Sequence, residues 1–310
     1  MKNDLYSMKS HITYAVIISF NPNIDLLTAE YNSIVPQVEK IIYVDNLSHN
    51  RNDIEIWLKG KEKASIIWLD DNEGIGKGQN EGIKLALKEG ASHIILFDQD
   101  SVVADNFVSE LYKAEIKAKN EGINVGITGP IYKSHDDGYG YPIISIENNR
   151  FIKIPIDSFH DYKIVSHIIA SGELIRREVF ENIGLMREDY FIEYVDFEYC
   201  FRAAKYGYKT IVSKNACMNH QMGDNQIMVL GRKIGIYSPF RRYFSCRNSL
   251  LIQRETIYPK VFRRKYLKLA IGKFIISCIY GPSRLKQLKY CLKGWYDGFH
   301  NNSGKCTISG

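Results

Sequence analysis

Four short apolar runs in the first hundred residues alternate with segments of helical period, and each run stops at a turn or an acid. YAVIISF (14–20) ends at Asn21-Pro22, KIIYVDN ends around Asp45, ASIIWLD covers 64–70, and SHIILFDQD closes on two aspartates. Continuous apolar runs of this length read as strands buried on both faces. Between them, residues 25–39 carry apolar side chains at Leu27, Tyr31, Ile34 and Val35, close to a helical period, and a second helix-like stretch covers 53–63. NEGIGKGQNEGIKLALKEG is a glycine-rich turn feeding a third helix, with Gly90 as its C-cap. Strand and helix in alternation with short joins predict an α/β fold of Rossmann type, a mostly parallel central sheet flanked by helices. Ligands in such sheets sit at the carboxyl ends of the strands. Asp45, Asp70, Asp71, Asp98 and Asp100 fall at or beside such ends.

The pattern loosens after Gly129-Pro130 into a stretch rich in Gly, Tyr and Asn, a hairpin or loop reaching to about residue 163. Order returns with IVSHIIASGELI, a helix at RREVFENIG and the dense segment MREDYFIEYVDFEYCFRAAKYGYKTIV. From Asn225 to Tyr296 the chain carries sixteen Lys or Arg against one acid, Glu255, although the whole sequence is only +6. An acidic front and a basic back divide the chain, and helices are expected over 259–280 and 283–299.

The first thirteen residues lack an apolar core, so no secretory signal is expected. The longest apolar candidate, 267–280, is short and carries Lys268 and Lys273, which argues against a spanning helix. Six cysteines (200, 217, 246, 278, 291 and 306) form no CxxC and read as reduced thiols. A cytoplasmic protein is expected.

Three segments bear on chemistry. The turn at 72–80 is neither a Walker A loop nor a dinucleotide fingerprint, and it serves equally well to cradle a ligand or to let a helix start close to the sheet. FDQDS puts Asp98 and Asp100 two apart, on one side if the chain stays extended, where hard oxygens suit Mg²⁺ or Mn²⁺ shared with substrate phosphates. The plainer reading is a cap on the helix beginning near Asp105. FIEYVDFEYCFRAAKYGYK sets Glu193, Asp196 and Glu198 among aromatics, where desolvation raises a carboxyl group toward the range of a general base. Glu198 and Arg202 read better as an i,i+4 ion pair.

In this order, ISFNP, YVDN, NEGIGKGQNEGI, FDQDS, SGELIRREVFENIG, FIEYVDFEYCFRAAKYGYK, RRYFSCRNSL and GWYDGFH resemble the family 2 glycosyltransferases of the GT-A fold, most closely their bacterial rhamnosyltransferase branch. The resemblance implies an inverting transfer of L-rhamnose from dTDP-L-rhamnose to a saccharide or lipid-diphosphate-linked acceptor in cell-surface polysaccharide synthesis. It puts Ser19 and Asp45 at the nucleobase and ribose, Asp98 at ribose or metal, and Asp100 on an Mg²⁺ or Mn²⁺ ion bridging the phosphates. Asp196 becomes the base, His220 a metal or diphosphate neighbour, and Arg247 and Asn248 diphosphate contacts. Val195-Asp196 stands where Glu-Asp is common elsewhere in the family, and Gly76 and Gly78 are expected to loosen their turn. The implied organisation is a tail (1–10), a catalytic domain (11–225, with a nucleotide-sugar half 11–130 and an acceptor half 131–225) and a basic, mainly helical region (226–310). The alternatives are another donor, such as UDP-galactose or UDP-glucose, or a binding protein without catalysis.

In the basic region, Lys and Arg interleave with Tyr, Phe, Leu and Ile from 260 to 293, a pattern suited to an anionic membrane surface. A solvated face or a homodimer contact is the plainer alternative, and no nucleic-acid module is recognisable. Peripheral attachment to the inner face of the plasma membrane is the expectation that follows.

Overall fold

A computed structural model of the chain describes residues 11–133, 140–219, 225–229, 232–281 and 283–308. The four apolar runs form β1 (Thr13–Ser19), β2 (Lys40–Asp45), β3 (Ala64–Trp68) and β4 (His93–Asp98), paired in parallel in the order β3-β2-β1-β4. Val16, Ile17, Ile41, Ile42, Ile94 and Ile95 are fully buried, because helices cover both faces and each strand must be apolar on either side.

Helix α1 (Ile24–Ile34) starts where the Asn23 side chain accepts hydrogen bonds from the Asp25 and Leu26 amides, and gives way at Pro36 to a 3₁₀ turn. α2 (Arg51–Leu58) stops short of the expected 63, with Gly60 left-handed at φ +80° just beyond it. α3 (Ile75–Lys88) lies close on the sheet, since a Cβ at Gly82 would press on Val16 and one at Gly78 on Ile18. Gly90, at φ +92°, follows its end as expected.

The rest of the sheet is mixed. β5 (Val102–Val103), α4 (Phe107–Asn120) and β6 (Val125–Lys133) follow β4 in the chain. A hairpin of β7 (Ile143–Glu147) and β8 (Arg150–Ile154) occupies the loosely patterned stretch, and β9 (Tyr162–Val165) joins the main sheet. β10 (Glu173–Arg176) then runs antiparallel between β4 and β6, with Glu173 opposite Leu96. β11 (Lys209–Asn219) completes the order β3-β2-β1-β4-β10-β6-β11-β5, with β9 beside β11. Inserting β10 in reverse brings Ser171, Gly172 and Glu173 to the carboxyl end of β4, beside Asp98. The Gly172 amide donates to the Leu96 carbonyl at 2.7 Å.

α5 (Arg177–Ile183), closed by Gly184 at φ +82°, and α6 (Val195–Lys205) flank the loop that carries the acidic patch. After a hairpin of β12 (Asn225–Val229) and β13 (Arg232–Ile236), the chain ends in α7 (Pro239–Arg254), α8 (Lys260–Tyr280) and α9 (Arg284–Phe299). The last two match the expected helices almost to the residue. α9 packs tightly on α7, and a Cβ at Gly294 or Gly298 would collide with the carbonyl of Tyr243 or Arg247. Among the described residues no helix is long and apolar enough to cross a membrane. The cysteines are all free thiols, as expected.

Candidate active site

At the ends of β1 and β2, Ser19 faces Asp45 in the parallel register, and both are buried. Asp45 Oδ2 accepts from the Ser48 amide at 3.0 Å and from Arg51 Nε at 2.9 Å. Arg51 is itself held by the Leu69 carbonyl. Asp45 Oδ1 and Ser19 Oγ have no hydrogen-bond partner among the described residues. A buried polar atom left unmet costs about 1–3 kcal/mol, so two at adjacent strand ends mark a place suited to a polar ligand.

Asp98 and Asp100 sit differently from the extended arrangement expected of them. The chain turns at once after β4, with the Ser101 amide donating to the Asp98 carbonyl at 3.2 Å, so the i,i+2 argument for a shared side does not apply. Ser171, whose role the sequence did not disclose, ties the turn down. Its Oγ accepts from the Asp98 amide at 3.2 Å and lies 2.9 Å from Ser101 Oγ. Asp98 is half-buried and Asp100 exposed. Neither caps the next helix, which begins at Phe107 after Asn106.

Asp196 lies in the first turn of α6, its Oδ1 accepting from the Phe197 amide at 2.8 Å. Desolvation pushes its carboxyl group up to about 7, with the negative charges of Glu193 and Asp98 adding to the effect. Asp98 and Asp196, almost a hundred residues apart in sequence, are therefore electrostatic neighbours. Glu173 lies beneath them, fully buried, its Oε2 unpartnered, and burial together with the Asp196 charge raises its carboxyl group well above the usual range. The Tyr132 hydroxyl, which donates to the Ser171 carbonyl at 2.8 Å, is raised by burial and by the charges of Glu173, Asp98 and Asp196. Tyr266 of α8 is raised by burial and then by Asp196 and Glu193, which brings the basic region to the edge of the acidic patch. Sequence reasoning missed Glu173, Tyr132 and Tyr266. SGELI was visible as a motif, but only the reversed strand shows what it adjoins.

The loop before Asp196 is strained. Phe191, Glu193 and Tyr194 are left-handed at φ +66°, +67° and +70°, a conformation that costs a non-glycine residue on the order of 1–3 kcal/mol. The glycine-rich turn meets this loop: the Ile75 amide donates to the Phe191 carbonyl at 2.7 Å, and a Cβ on Gly74 (φ +81°) would come within 2.5 Å of that carbonyl oxygen. A Cβ on Gly76 would strike the Arg187 carbonyl. The glycines therefore do not loosen the turn. They allow α3 to approach the sheet on one side and the 187–191 backbone on the other.

Arg247 and Asn248 are fully buried in α7, and the structure does not place them on an open face where a diphosphate would meet them. Arg247 Nη2 and Asn248 Nδ2 donate to backbone carbonyls of the 189–193 loop. Glu198 and Arg202 form the expected i,i+4 pair, and Arg202 also donates to the Ile183 and Leu185 carbonyls, a structural role. His220 lies outside the described residues. Among those described, no group of three or more His, Cys, Asp or Glu side chains is placed to hold a metal ion.

Residues 14–184 match the model of glycosyl transferase family 2. The chain belongs to that family. This family 2 glycosyltransferase is 36% identical over 278 residues, 88% of each chain, to the dTDP-rhamnosyl transferase RfbF of Shigella flexneri. It is 23% identical to the low-salt glycan biosynthesis hexosyltransferase Agl10 of Haloferax volcanii, over 88% of this chain and 87% of the other. Among solved structures, GalNAc-T7 with UDP, GalNAc and Mn²⁺ superposes with a TM-score of 0.57 at 15% identity, covering 88% of this chain and 58% of that one. Residues 1–349 of S. aureus TarS with UDP-GlcNAc give 0.55 at 13% identity, over 94% and 81%. These likenesses agree with the GT-A fold of the family 2 glycosyltransferase described above.

Proposed function

We propose that this glycosyltransferase transfers L-rhamnose from dTDP-L-rhamnose, with inversion, to a hydroxyl of a saccharide or lipid-diphosphate-linked acceptor in cell-surface polysaccharide synthesis. The observation that carries the donor is the 36% identity to the Shigella enzyme across 88% of both chains. In this reading the unmet oxygens of Ser19 and Asp45 receive the nucleoside. Asp196 takes the proton of the acceptor hydroxyl as that oxygen attacks the anomeric carbon from the face opposite the diphosphate. A new C–O bond forms while the sugar–phosphate C–O bond breaks, and the nucleoside diphosphate departs. A carboxyl group poised near 7 is half ionised at neutral pH, the condition for an efficient base.

Asp98 and Asp100 supply hard oxygens on one tight turn, a donor set that fits Mg²⁺ or Mn²⁺, which commonly binds one or two carboxylates and completes its shell with phosphates and water. When bound there, the ion would offset the charge on the leaving diphosphate. His220 follows β11 in the chain and is the remaining candidate ligand.

The basic region is proposed to seat the enzyme on an anionic membrane, at its cytoplasmic face. Ile275, Ile279, Leu285, Leu292 and Phe299 are exposed on α8 and α9 among Lys and Arg. A groove of about 530 Å³ beside α8 is lined by Asn149, Val261, Arg264, Lys265, Lys268 and Leu269. Exposed apolar side chains interspersed with cationic ones suit a layer of acidic headgroups.

Purified protein with Mn²⁺ should be stabilised by dTDP-L-rhamnose in a thermal-shift panel and should release dTDP when an acceptor is present. Preference for UDP-galactose or UDP-glucose in both measurements would replace the donor. Binding with neither transfer nor hydrolysis would favour a non-catalytic protein.

A further inference from the structure

The backbone from Asp189 to Glu193 has an accounting that no surface loop requires. All five carbonyls are taken by groups from distant parts of the chain. The Asp189 carbonyl accepts from the Gly304 amide at 2.7 Å and from Arg247 Nη2 at 3.1 Å. The Tyr190 carbonyl accepts from Arg247 Nη2 at 2.8 Å and Asn248 Nδ2 at 3.0 Å. The Phe191 carbonyl accepts from the Ile75 amide, and those of Ile192 and Glu193 from Asn248 Nδ2 at 2.8 and 3.1 Å. Arg247 Nε donates to Asn248 Oδ1 at 2.9 Å, locking the amide so that its NH₂ points at the loop, and Arg247 Nη1 donates to the Gly304 carbonyl. Outside the bundle, Arg241 pairs with Glu193 at 2.6 Å, and Phe191 stacks on Phe244 with ring centroids 4.5 Å apart.

We infer that Arg247 and Asn248 are positioning residues for the transfer reaction, holding the left-handed 191–194 backbone in the one shape that delivers Asp196 to the acceptor. This rests on the reading of Asp196 as the base. An unconstrained loop would relax its three left-handed residues, and Asp196, one residue beyond Val195 at the start of α6, would move with it. Two neighbouring side chains that between them reach the Asp189, Tyr190, Ile192 and Glu193 carbonyls oppose that relaxation. The contacts from the buried Arg247 guanidinium to the Asp189 and Tyr190 carbonyls are also charge-assisted. A guanidinium buried within the basic region thus serves the chemistry of the other half of the chain.

Asn248→Asp tests this with little change of shape. It keeps an oxygen for Arg247 Nε and removes the NH₂ that reaches three carbonyls. In the full-length enzyme, the expected result is a fall in kcat of about 10- to 100-fold, the scale of a small misplacement of a reacting group, with donor Kd within about twofold by the same scale of argument. The acid limb of the pH–rate profile should also move to lower pH, because a released Asp196 regains hydration. Arg247→Lys, which keeps the charge and loses the fork, should act in the same direction should Asn248→Asp fold poorly. Arg254→Ala is the comparison: it cuts contacts from α7 to the Gly298 and Phe299 carbonyls and should lower Tm without moving the acid limb. Wild-type kcat and acid limb in both Asn248→Asp and Arg247→Lys, or a loss that tracks Tm alone as in Arg254→Ala, overturns the inference. A wild-type enzyme that transfers from no nucleotide sugar instead refutes the functional reading on which it rests.

Discussion

Ser19 lies directly across the β1–β2 register from Asp45, and each buries one oxygen that nothing in the described chain satisfies. The two atoms belong to different strands but to one layer of the sheet, at the end where a doubly wound fold receives its ligands. A charged acceptor held by Arg51 and the Ser48 amide on its other oxygen cannot swing away, so its free side is fixed in direction.

Removing either oxygen should therefore weaken donor binding more than turnover. Asp45→Asn is expected to raise donor Kd by about 10- to 100-fold, the range of one hydrogen bond to a charged group. Ser19→Ala should cost less, roughly 3- to 10-fold for a neutral one. Titration calorimetry with the nucleoside diphosphate checks both, and unchanged affinity in Asp45→Asn would remove it from the nucleoside site.

Asp196→Asn should lower kcat by about 10²- to 10⁴-fold, the usual contribution of a general base, with donor affinity retained. Because the base acts ionised and its carboxyl group titrates near 7, wild-type kcat should fall as pH drops through about 7. The stability effect has the opposite sense. A carboxyl group raised in the folded state favours folding below its unfolded value and loses that contribution as pH rises through about 7. Asp196→Asn should accordingly gain Tm over wild type at pH 8 and not at pH 4, by calorimetry.

Chelation should stop transfer, and Mg²⁺ or Mn²⁺ should restore it. Asp100→Asn is expected to raise the metal concentration needed for half-maximal rate, since it removes a hard oxygen. Full activity in excess EDTA would count against the aspartate turn as a metal site.

Vesicles containing acidic lipid should sediment the protein, and neutral vesicles should not. Each basic side chain near such a surface contributes about 1 kcal/mol, so reversing Arg264, Lys265 and Lys268 to Glu should abolish co-sedimentation at moderate salt. Unaltered sedimentation after reversal would leave a solvated face or a contact between two copies, and analytical ultracentrifugation would separate those.

The parallel half of the sheet was legible because strands covered by helices must be largely apolar, with deep burial in β1, β2 and β4 and only partial burial in the edge strand β3. Asp196 was legible through its setting of aromatics, since desolvation by neighbours is a compositional property. The turn at Asp98 was not, because an extended strand and a tight turn share the same four letters until Ser171 is brought alongside. β10 was hidden for a similar reason: ELIR fits either strand direction, and the reversal is decided by where the chain enters the sheet. Arg247 misled most. The resemblance put it at a diphosphate, and only the Asp189, Tyr190 and Gly304 carbonyls, brought together by the fold, explain why it is inside.

The Lys305 ammonium bridges Asp71 and Glu73, the former 234 positions away in sequence, and Gly304 closes on Asp189. Both ties belong to the short segment after α9, and a terminal segment held by a few exposed contacts opens early on warming. On the proposed reading, the nucleotide site at the ends of β1 and β2 should then outlast the 189–193 loop that Gly304 and Arg247 hold. Gentle heating would yield a molecule that still captures its donor and no longer consumes it.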